Sequence, residues 1–220
     1  MIPDPATAAA LVTGLSGLVA AGWSTHTAAR LRRQLATARH DATHDRLTGL
    51  LNRPGLVDAW PRLAPAAPLV AVLDLDGFKP VNDLRGHAAG DLVLTVIAHR
   101  LRTAVTGAAA RLGGDEFALV LVTAADLHAV RALAARIAAP MRLASGEHVS
   151  VTASIGLAPS TGDLADALAR ADAAMYRAKT TGTGVAVHDP ARDDRTAPAA
   201  DPRPAVRTRN LPAMPVEAVA

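Results

Sequence analysis

The side chains best suited to chemistry lie in two acidic segments that are separated by about thirty-five residues. The first begins at Asp74 and reads DLDGFKPVND, and the second begins at Arg111 and reads RLGGDEF. Two glycines ahead of two carboxylates, between apolar runs, predict a tight hairpin with acid at its tip. A strand over 69–76 would end in Asp74 and Asp76 and offer a second acidic edge. Together these edges predict a divalent-metal site of the kind that handles nucleotide phosphates.

Composition restricts the classes of protein to which this chain can belong. Its 220 residues suit one domain of ordinary size with appendages, and half of them are hydrophobic, which is enough for a buried core. The absence of cysteine excludes a disulfide scaffold and a thiolate metal site. A formal net charge of only +3, without a basic patch interleaved with aromatic residues, argues against a nucleic-acid binder.

Lysine occurs at only two positions, whereas the other basic side chains are arginines and histidines. Lys79 lies inside the first acidic segment, and Lys179 lies in a predicted late helix. This skew has two interpretations. It is either chance or a requirement for a compact ammonium group against phosphate.

The first part of the chain is uncharged over residues 5–25 and consists mainly of Ala, Leu, Val and Gly. Such a stretch is long enough to span a bilayer as a helix, so we expect residues 1–24 to form a single-pass membrane anchor. Arginines follow at positions 30, 32, 33 and 39. By the positive-inside rule they predict that the rest of the chain lies in the cytoplasm, at a bacterial inner membrane. The alternative is a soluble, cytoplasmic protein whose Ala-rich helix packs on a partner.

Residues 25–43 have the pattern of a linker helix, with Leu31, Leu35 and Ala38 on one stripe and arginines elsewhere. This helix could pair with its own copy and join two chains in a homodimer. At the other end, residues 190–220 are rich in Pro, Ala, Asp and Arg without periodicity, and we expect a disordered tail there.

The segment between the linker and the tail, residues 44–189, alternates strand-like and helix-like patterns. Strands mixed with helices, including two hairpin-like pairs, predict an α+β fold in which helices flank a mixed central sheet. The expected elements are a strand at 69–76, a helix at 89–105, a hairpin of 109–112 with 117–122, a helix at 124–138, strands at 141–144 and 148–158, a helix at 163–180 and a strand at 184–188.

Four motifs resemble the GGDEF family of diguanylate cyclases, which join two GTP molecules into cyclic di-GMP. They are HDRLTGLLNR from His44, the two acidic segments, and ADAAMYRAK from Ala171. The resemblance covers about residues 42–189 and implies a palm-like nucleotide-cyclase fold. It also implies a homodimer, because each domain holds one GTP and the two α-phosphates must meet 3′ hydroxyls across an interface.

The resemblance implies catalytic and metal-binding roles at the two acidic edges. Asp74 and Asp115 would give carboxylates to two Mg²⁺ (or Mn²⁺) ions per active site, with the Leu75 carbonyl as a further ligand. Glu116 would be either another ligand or the group that helps to deprotonate the 3′ hydroxyl. Lys79 would complete the catalytic set with Asp115 and Glu116.

Substrate-binding roles follow from the same resemblance. Asn82 and Asp91 would read guanine, because an amide oxygen or a carboxylate complements its N1–H and amino group but would face an acceptor in adenine. Asp91 is also expected to begin its helix as a cap. The remaining substrate-binding residues are Gly77, Phe78, Lys79 and Lys179 at the terminal phosphates, and Gly113 and Gly114 where the backbone approaches the nucleotide most closely.

The sequence departs from the family pattern at two places. Thr183 follows Gly182 where the family usually has arginine, so one phosphate-binding charge is missing unless Arg177 supplies it. Ala104 and Gly107 stand where the family's product-binding motif has Arg and Asp, so that inhibitory site should be absent. The leading hypothesis is an active diguanylate cyclase. The alternative is a weak or inactive domain that binds GTP or a protein partner.

Overall fold

The computed structural model describes residue 23 and residues 26–66, 68–122 and 124–194. The membrane anchor expected over residues 1–24, apart from position 23, lies outside the described residues and stays a prediction, and so does most of the tail expected over 190–220. Within the ranges that are described, no helix combines the length and the apolar character needed to cross a bilayer.

Helix α1 (26–43) leads into the domain through a turn at residues 44–52, whose two ends are joined by a short β-bridge. Asn52 ends this turn and caps helix α2 (Arg53–Leu63), because its side-chain oxygen accepts a hydrogen bond from the Gly55 N–H at 2.8 Å. The first family motif is therefore a structural connection between the linker helix and the domain.

The other described elements form a five-stranded sheet, a two-stranded hairpin and helices on both faces. The large sheet has the order β2-β3-β1-β6-β7, with β6 and β7 parallel and the other pairs antiparallel. The predicted mixed sheet flanked by helices is confirmed. In chain order the elements are the 3₁₀ helix Ala64–Ala66, β1 (Leu69–Asp76), α3 (Phe78–Arg85), α4 (His87–Arg102), β2 (Ala108–Gly113), β3 (Glu116–Leu121), α5 (Ala124–Ala138), β4 (Met141–Arg142), β5 (His148–Val149), β6 (Thr152–Pro159), α6 (Leu164–Thr181), β7 (Val185–Val187) and α7 (Pro190–Asp193).

The alternation of side chains along β1 separates the two faces of the large sheet. Odd-numbered residues such as Leu73 are buried in a core with α3, α4 and α5. Even-numbered residues such as Val72 are buried in a second core with α2 and α6. Asp74 and Asp76 continue the even series, so the period of the strand directs both carboxylates to the face that α6 covers.

Gly156 in β6 allows α6 to lie directly on this face of the sheet. A Cβ atom at Gly156 would overlap the Ala171 carbonyl and the backbone of Met175. Any larger residue would push the helix outwards, and with it Lys179, which follows Met175 by about one turn. The close packing therefore determines how far Lys179 stands from the acidic end of β1.

Three elements differ from those expected from the sequence. Helix α3 was not expected, because it buries only Phe78 and Val81 and its apolar pattern is too short to recognise. The single strand expected at 148–158 is divided into β5 and β6. Helix α7 lies inside the expected tail, where Asp189 caps it and Asp193 is buried.

Candidate active site

The two acidic segments meet where β1 ends and β3 begins. Asp74 is paired with Glu116 in the antiparallel register, and the Leu75 N–H donates a hydrogen bond to the Asp115 carbonyl at 3.3 Å. The pairing brings the hairpin turn alongside the last residues of β1. The acidic end of strand β1 and the acidic hairpin turn therefore lie side by side, as predicted from the sequence. We call the end of β1 with the β2–β3 turn, residues 74–76 and 113–116, the acidic edge.

Glycine is needed at the hairpin tip because of the backbone conformation there. Gly113 and Gly114 have φ values of +152° and +54°, which side-chain-bearing residues rarely adopt, and neither has another atom within 4 Å of its Cβ position. The open space around both positions agrees with the close approach to a nucleotide that the family resemblance implies. The conformational requirement is an additional reason for the glycine pair.

Arg111 connects the hairpin tip to the turn at residues 44–52. Its Nε and Nη2 atoms donate to the Gly114 carbonyl at 2.9 and 2.8 Å, and its Nη1 atom donates to both carboxylate oxygens of Asp45 at 3.1 Å. Asp45 also accepts hydrogen bonds from the backbone and the hydroxyl of Thr48. Burial raises the pKa of Asp45, but the bonds from Thr48 and Arg111 outweigh that effect and lower it.

The role of Arg111 was missed in the sequence analysis. The signal available was an arginine two residues before the glycine pair, together with an aspartate in the first family motif. Those two residues lie 66 positions apart, so nothing in their spacing indicates that they meet. Through them the turn after α1 is connected to the residue that precedes Asp115.

Lys179 reaches the acidic edge from α6. Its Nζ atom donates to Asp74 Oδ1 at 2.7 Å, and the side chain of Asp74 is only 16% exposed. This hydrogen bond, with the charges of Asp74, Asp76 and Asp115, raises the pKa of Lys179 despite its partial burial. The family resemblance implies that Lys179 binds a phosphate of the nucleotide. In this structure its ammonium group is instead hydrogen-bonded to Asp74, an expected metal ligand.

Asp76 is held on the same face by β6. The hydroxyl of Ser154 donates to Asp76 Oδ1 at 3.0 Å, and the hydroxyl of Thr152 donates to Oδ2 at 3.1 Å. The antiparallel register places Thr152 opposite Asp76 and explains both contacts. Asp76 therefore has its own polar partners. In the sequence analysis it belongs to the acidic end of the strand but has no assigned ligand or catalytic role.

The carboxylates of Asp74 and Asp115 suit a divalent cation. Burial raises the pKa of Asp115, and the negative charge of Asp74 raises it further. A hard cation would relieve this repulsion, and oxygen atoms are the ligands that Mg²⁺ prefers. In the part of the chain that the structure describes, however, no three side chains from His, Asp and Glu are grouped so that they could hold a metal ion. The metal-binding roles of Asp74, Asp115 and Glu116 therefore stay predictions.

The residues expected at the terminal phosphates lie at the start of α3. Gly77 precedes this helix in a left-handed conformation, with φ of +75°, and no side chain caps the helix. Phe78 is buried in the core, whereas Lys79 is exposed. The first backbone N–H groups of a helix have no partner within it, which is the arrangement that binds anions.

Asn82 and Asp91 are brought together by the contact between α3 and α4. The side-chain oxygen of Asn82 lies against Gly90, where a Cβ would overlap it, and Asp91 is the next residue of α4. The expected second role of Asp91 as a cap is wrong, because α4 begins at His87 and Asp91 lies in its second turn. Asp91 is exposed and remains suitable for contact with a ligand.

Arg177 does not supply the charge that is missing at Thr183. Its guanidinium makes a bidentate ion pair with the buried Asp193, at 2.7 and 3.1 Å, and also donates to the Val187 carbonyl. Thr183 itself is exposed, directly after Gly182, which ends α6. The sequence alternative in which Arg177 binds the nucleotide is therefore wrong for this structure.

The segment that would carry the product-binding motif lies between α4 and β2. A Cβ atom at Gly107 would overlap the Val120 carbonyl, so an aspartate could not stand there without displacement of the backbone. Ala104 is partly buried against the core. The surroundings of both residues are therefore consistent with the absence of the product-binding motif from the sequence.

The sheet order, the helices on both faces and the paired carboxylates define a nucleotide-cyclase type of domain. The family model described as "Diguanylate cyclase, GGDEF domain" matches residues 42–184. The chain belongs to the GGDEF family, as the sequence motifs predicted.

Named relatives agree with this assignment. The chain is 41% identical over 173 residues to the diguanylate cyclase TpbB of Pseudomonas aeruginosa, which covers 71% of this chain and 39% of TpbB. It is 45% identical over 163 residues to an uncharacterised signalling protein of Caulobacter vibrioides, covering 67% of this chain and 20% of that protein. An uncharacterised 19.3 kDa protein of Streptomyces ambofaciens is 42% identical over 186 residues, covering 80% of this chain and 93% of that protein. The chain thus spans well under half of the first two relatives.

Solved structures show the same fold. The coiled coil and GGDEF domain of DgcB from Caulobacter crescentus, in complex with c-di-GMP, matches with a TM-score of 0.70 at 32% identity, covering 79% of this chain and 98% of that one. The isolated GGDEF domain of TpbB from Pseudomonas aeruginosa matches with a TM-score of 0.60 at 39% identity, covering 69% of this chain and 97% of that one.

Proposed function

We propose that this chain is a diguanylate cyclase that condenses two GTP molecules into cyclic di-GMP. In each of two steps a 3′ oxygen attacks an α-phosphorus, a phosphodiester bond forms, and the bond to the β-phosphate breaks with release of pyrophosphate. The observation that carries the proposal is the acidic edge, where β1–β3 pairing brings Asp74 and Asp115 within electrostatic reach of each other, with Lys179 beside them.

The acidic edge is the proposed place for the metal ions. Asp74 and Asp115 would hold Mg²⁺ or Mn²⁺ through their carboxylates, with the Leu75 carbonyl beside them. Such ions, when bound, polarise an α-phosphate and offset the charge of the leaving pyrophosphate. Glu116 starts β3 next to Asp115 and is proposed either as a further ligand or as the acceptor of the 3′ hydroxyl proton.

The start of α3 and the α3–α4 contact are the proposed nucleotide side. The backbone N–H groups of Gly77, Phe78 and Lys79 would bind phosphate oxygens, assisted by the Lys79 ammonium group. Asn82 and Asp91 would accept hydrogen bonds from the guanine N1–H and amino group. Asn82 lies against Gly90, the residue before Asp91, and this proximity supports a shared role.

The linker helix supports a homodimer. Leu31 and Leu35 on α1 are 59% and 53% exposed, and they stand one turn apart on one stripe. The matching DgcB structure contains a coiled coil beside its GGDEF domain. We propose that two copies of α1 pair through this stripe, so that two GTP-loaded domains face each other.

The test is product formation by the purified chain. Incubation with GTP and Mg²⁺ is expected to yield cyclic di-GMP and two pyrophosphates per product, measured by chromatography and a pyrophosphate assay. A matched pair of variants, Asp115→Asn in the site and Asp58→Asn on the exposed surface of α2, should respectively lose and keep the activity. Tight GTP binding without any product would instead support the GTP-binding module, which the absence of arginine at Thr183 favours.

A further inference from the structure

The contact between Lys179 and Asp74 places a cation at the acidic edge. The Nζ–Oδ1 distance is 2.7 Å, and α6 holds the lysine over the sheet by its close packing on Gly156. Asp76 and Asp115 lie near enough for their charges to act on the same ammonium group. The Lys179 ammonium group is therefore bonded to one carboxylate and is under the electrostatic influence of two more.

The contact conflicts with the roles that catalysis requires of the two residues. In the proposed function Asp74 binds a divalent cation and Lys179 binds a phosphate. A metal ion on Asp74 would compete with the Lys179 ammonium for Oδ1, and a metal on the second carboxylate oxygen would still be repelled by that nearby positive charge. Each contact therefore weakens the other.

We infer that Lys179 is an internal counter-ion of Asp74, which leaves the carboxylate only when a nucleotide triphosphate draws it away, so that the divalent cation and GTP bind cooperatively. This inference rests on the proposed function. Each ligand then binds weakly alone, and each raises the affinity of the other by the same factor. Thr183 strengthens the argument, because the arginine usual in the family at that position is absent and cannot attract the phosphates in place of Lys179.

The first test measures binding of Mn²⁺ alone to the full chain without nucleotide, from the loss of the free-ion signal in electron paramagnetic resonance. Lys179→Met should bind Mn²⁺ about three- to fivefold more tightly than the unmodified protein, because a charge-assisted bond that competes with the metal is removed and the partial exposure of the lysine limits the gain. Lys179→Arg keeps a cation and should stay weak. Lys79→Met is the matched control, since it removes the chain's other lysine from the same site without breaking a contact to Asp74.

Two outcomes would overturn the inference. One is a Lys179→Met affinity equal to that of the unmodified protein. The other is an equal increase in Lys79→Met, because the effect would then come from net charge and not from the contact with Asp74. Neither measurement uses turnover, so a chain that makes no cyclic di-GMP can still satisfy the inference, and an active enzyme can still contradict it.

A second test uses the unmodified sequence. Because the chain contains only two lysines, protein labelled with ¹³C-lysine gives two ε-methylene signals, which Lys79→Met assigns. Mg²⁺ alone should leave the Lys179 signal in place, whereas Mg²⁺ with 3′-deoxy-GTP, which lacks the attacking hydroxyl, should move it. A signal that moves fully with Mg²⁺ alone would show that the metal displaces Lys179 without help from nucleotide.

Discussion

The two sides of the proposed site are built in opposite ways. At the acidic edge, Asp74 is bound by Lys179, Asp76 is bound by two hydroxyls of β6, and the hairpin tip is held by Arg111. On the nucleotide side, the side chains of Lys79, Asn82 and Asp91 make no hydrogen bond or ion pair with any residue in the described ranges. The side chains of the acidic edge thus have hydrogen-bonding partners within the protein, whereas those on the nucleotide side remain available to a ligand.

The difference follows from charge. Burial raises the pKa of Asp115, and the negative charge of Asp74 raises it further. The ionised carboxylates of the acidic edge therefore need partners to remain in place. The polar and charged side chains on helices α3 and α4 need no such partners, because the helix backbone holds them in position. They therefore remain available to bond with a ligand. Substitutions on the two sides should therefore have different signatures. Those at the edge should affect kcat and stability, and those on the nucleotide side should affect KM without affecting stability.

Asp115→Asn should have the largest effect. Loss of a proposed metal ligand should lower kcat by at least about a thousandfold, since metal polarisation supplies several kcal/mol of transition-state stabilisation. Rates of cyclic di-GMP formation at saturating Mg²⁺ measure this, with Asp58→Asn as the matched control. An Asp115→Asn enzyme with unmodified kcat would exclude Asp115 as a ligand.

The same variant should stabilise the metal-free fold. A carboxyl whose pKa is raised in the native state binds protons more readily there than in the unfolded chain, so stability falls as pH rises above its ordinary value of 3.8. The asparagine side chain carries no charge and escapes this loss, so the thermal midpoint at neutral pH should rise relative to that of the unmodified protein. The gain should disappear at low pH, where Asp115 is protonated. A lower midpoint at neutral pH would contradict the repulsion that burial and Asp74 impose.

Asn82→Ala should give the signature of the nucleotide side. Removal of an acceptor for the guanine N1–H or amino group should raise KM for GTP by about tenfold to a hundredfold, the cost of an unpaired buried polar group. The thermal midpoint should not change, because the Asn82 side chain has no bonding partner among the described residues. Asp83→Ala, one residue further on the exposed side of α3, is the control. A large drop in stability would show that Asn82 packs against Gly90 as a structural contact.

What the sequence could and could not predict follows the same division. Local patterns predicted the bounds of β1, the Gly-Gly hairpin and most helices, because each depends on neighbours within a few residues. The contacts that complete the acidic edge join residues that are far apart: Arg111 with Asp45 and Lys179 with Asp74, 66 and 105 positions apart. Single-sequence spacing carries no signal for such pairs. Helix α3 was missed for another reason, since its motif was interpreted for chemistry and its apolar pattern is short.

Arg111→Lys tests the support of the edge. Lysine keeps the charge but lacks the planar fork that joins Asp45 to the Gly114 carbonyl, so the hairpin tip should become less well positioned. We expect kcat to fall about five- to tenfold with little change in KM, and the thermal midpoint to fall as well. Asp45→Asn should give a similar loss, and the double variant should be little worse than either single one, because both break the same contact. Additive losses would mean that the two residues act separately.

Thr183→Arg should have the smallest effect, and it acts on the nucleotide side. It restores a fork-shaped donor four residues after Lys179, just beyond the end of α6, where the triphosphate is proposed to lie. Arg177 cannot compete because Asp193 and Val187 hold it. A charge-assisted bond to phosphate is worth about 1.5–3 kcal/mol when well placed, but the exposure of Thr183 should reduce this to about 0.5–1 kcal/mol. KM for GTP should therefore fall about two- to fivefold in steady-state kinetics at saturating Mg²⁺. The value of kcat should not change, because the β- and γ-phosphates are bound similarly before and during the transition state. An unchanged KM would mean that Thr183 faces away from the nucleotide, and that Lys179 is the only cation of this helix that reaches the phosphates.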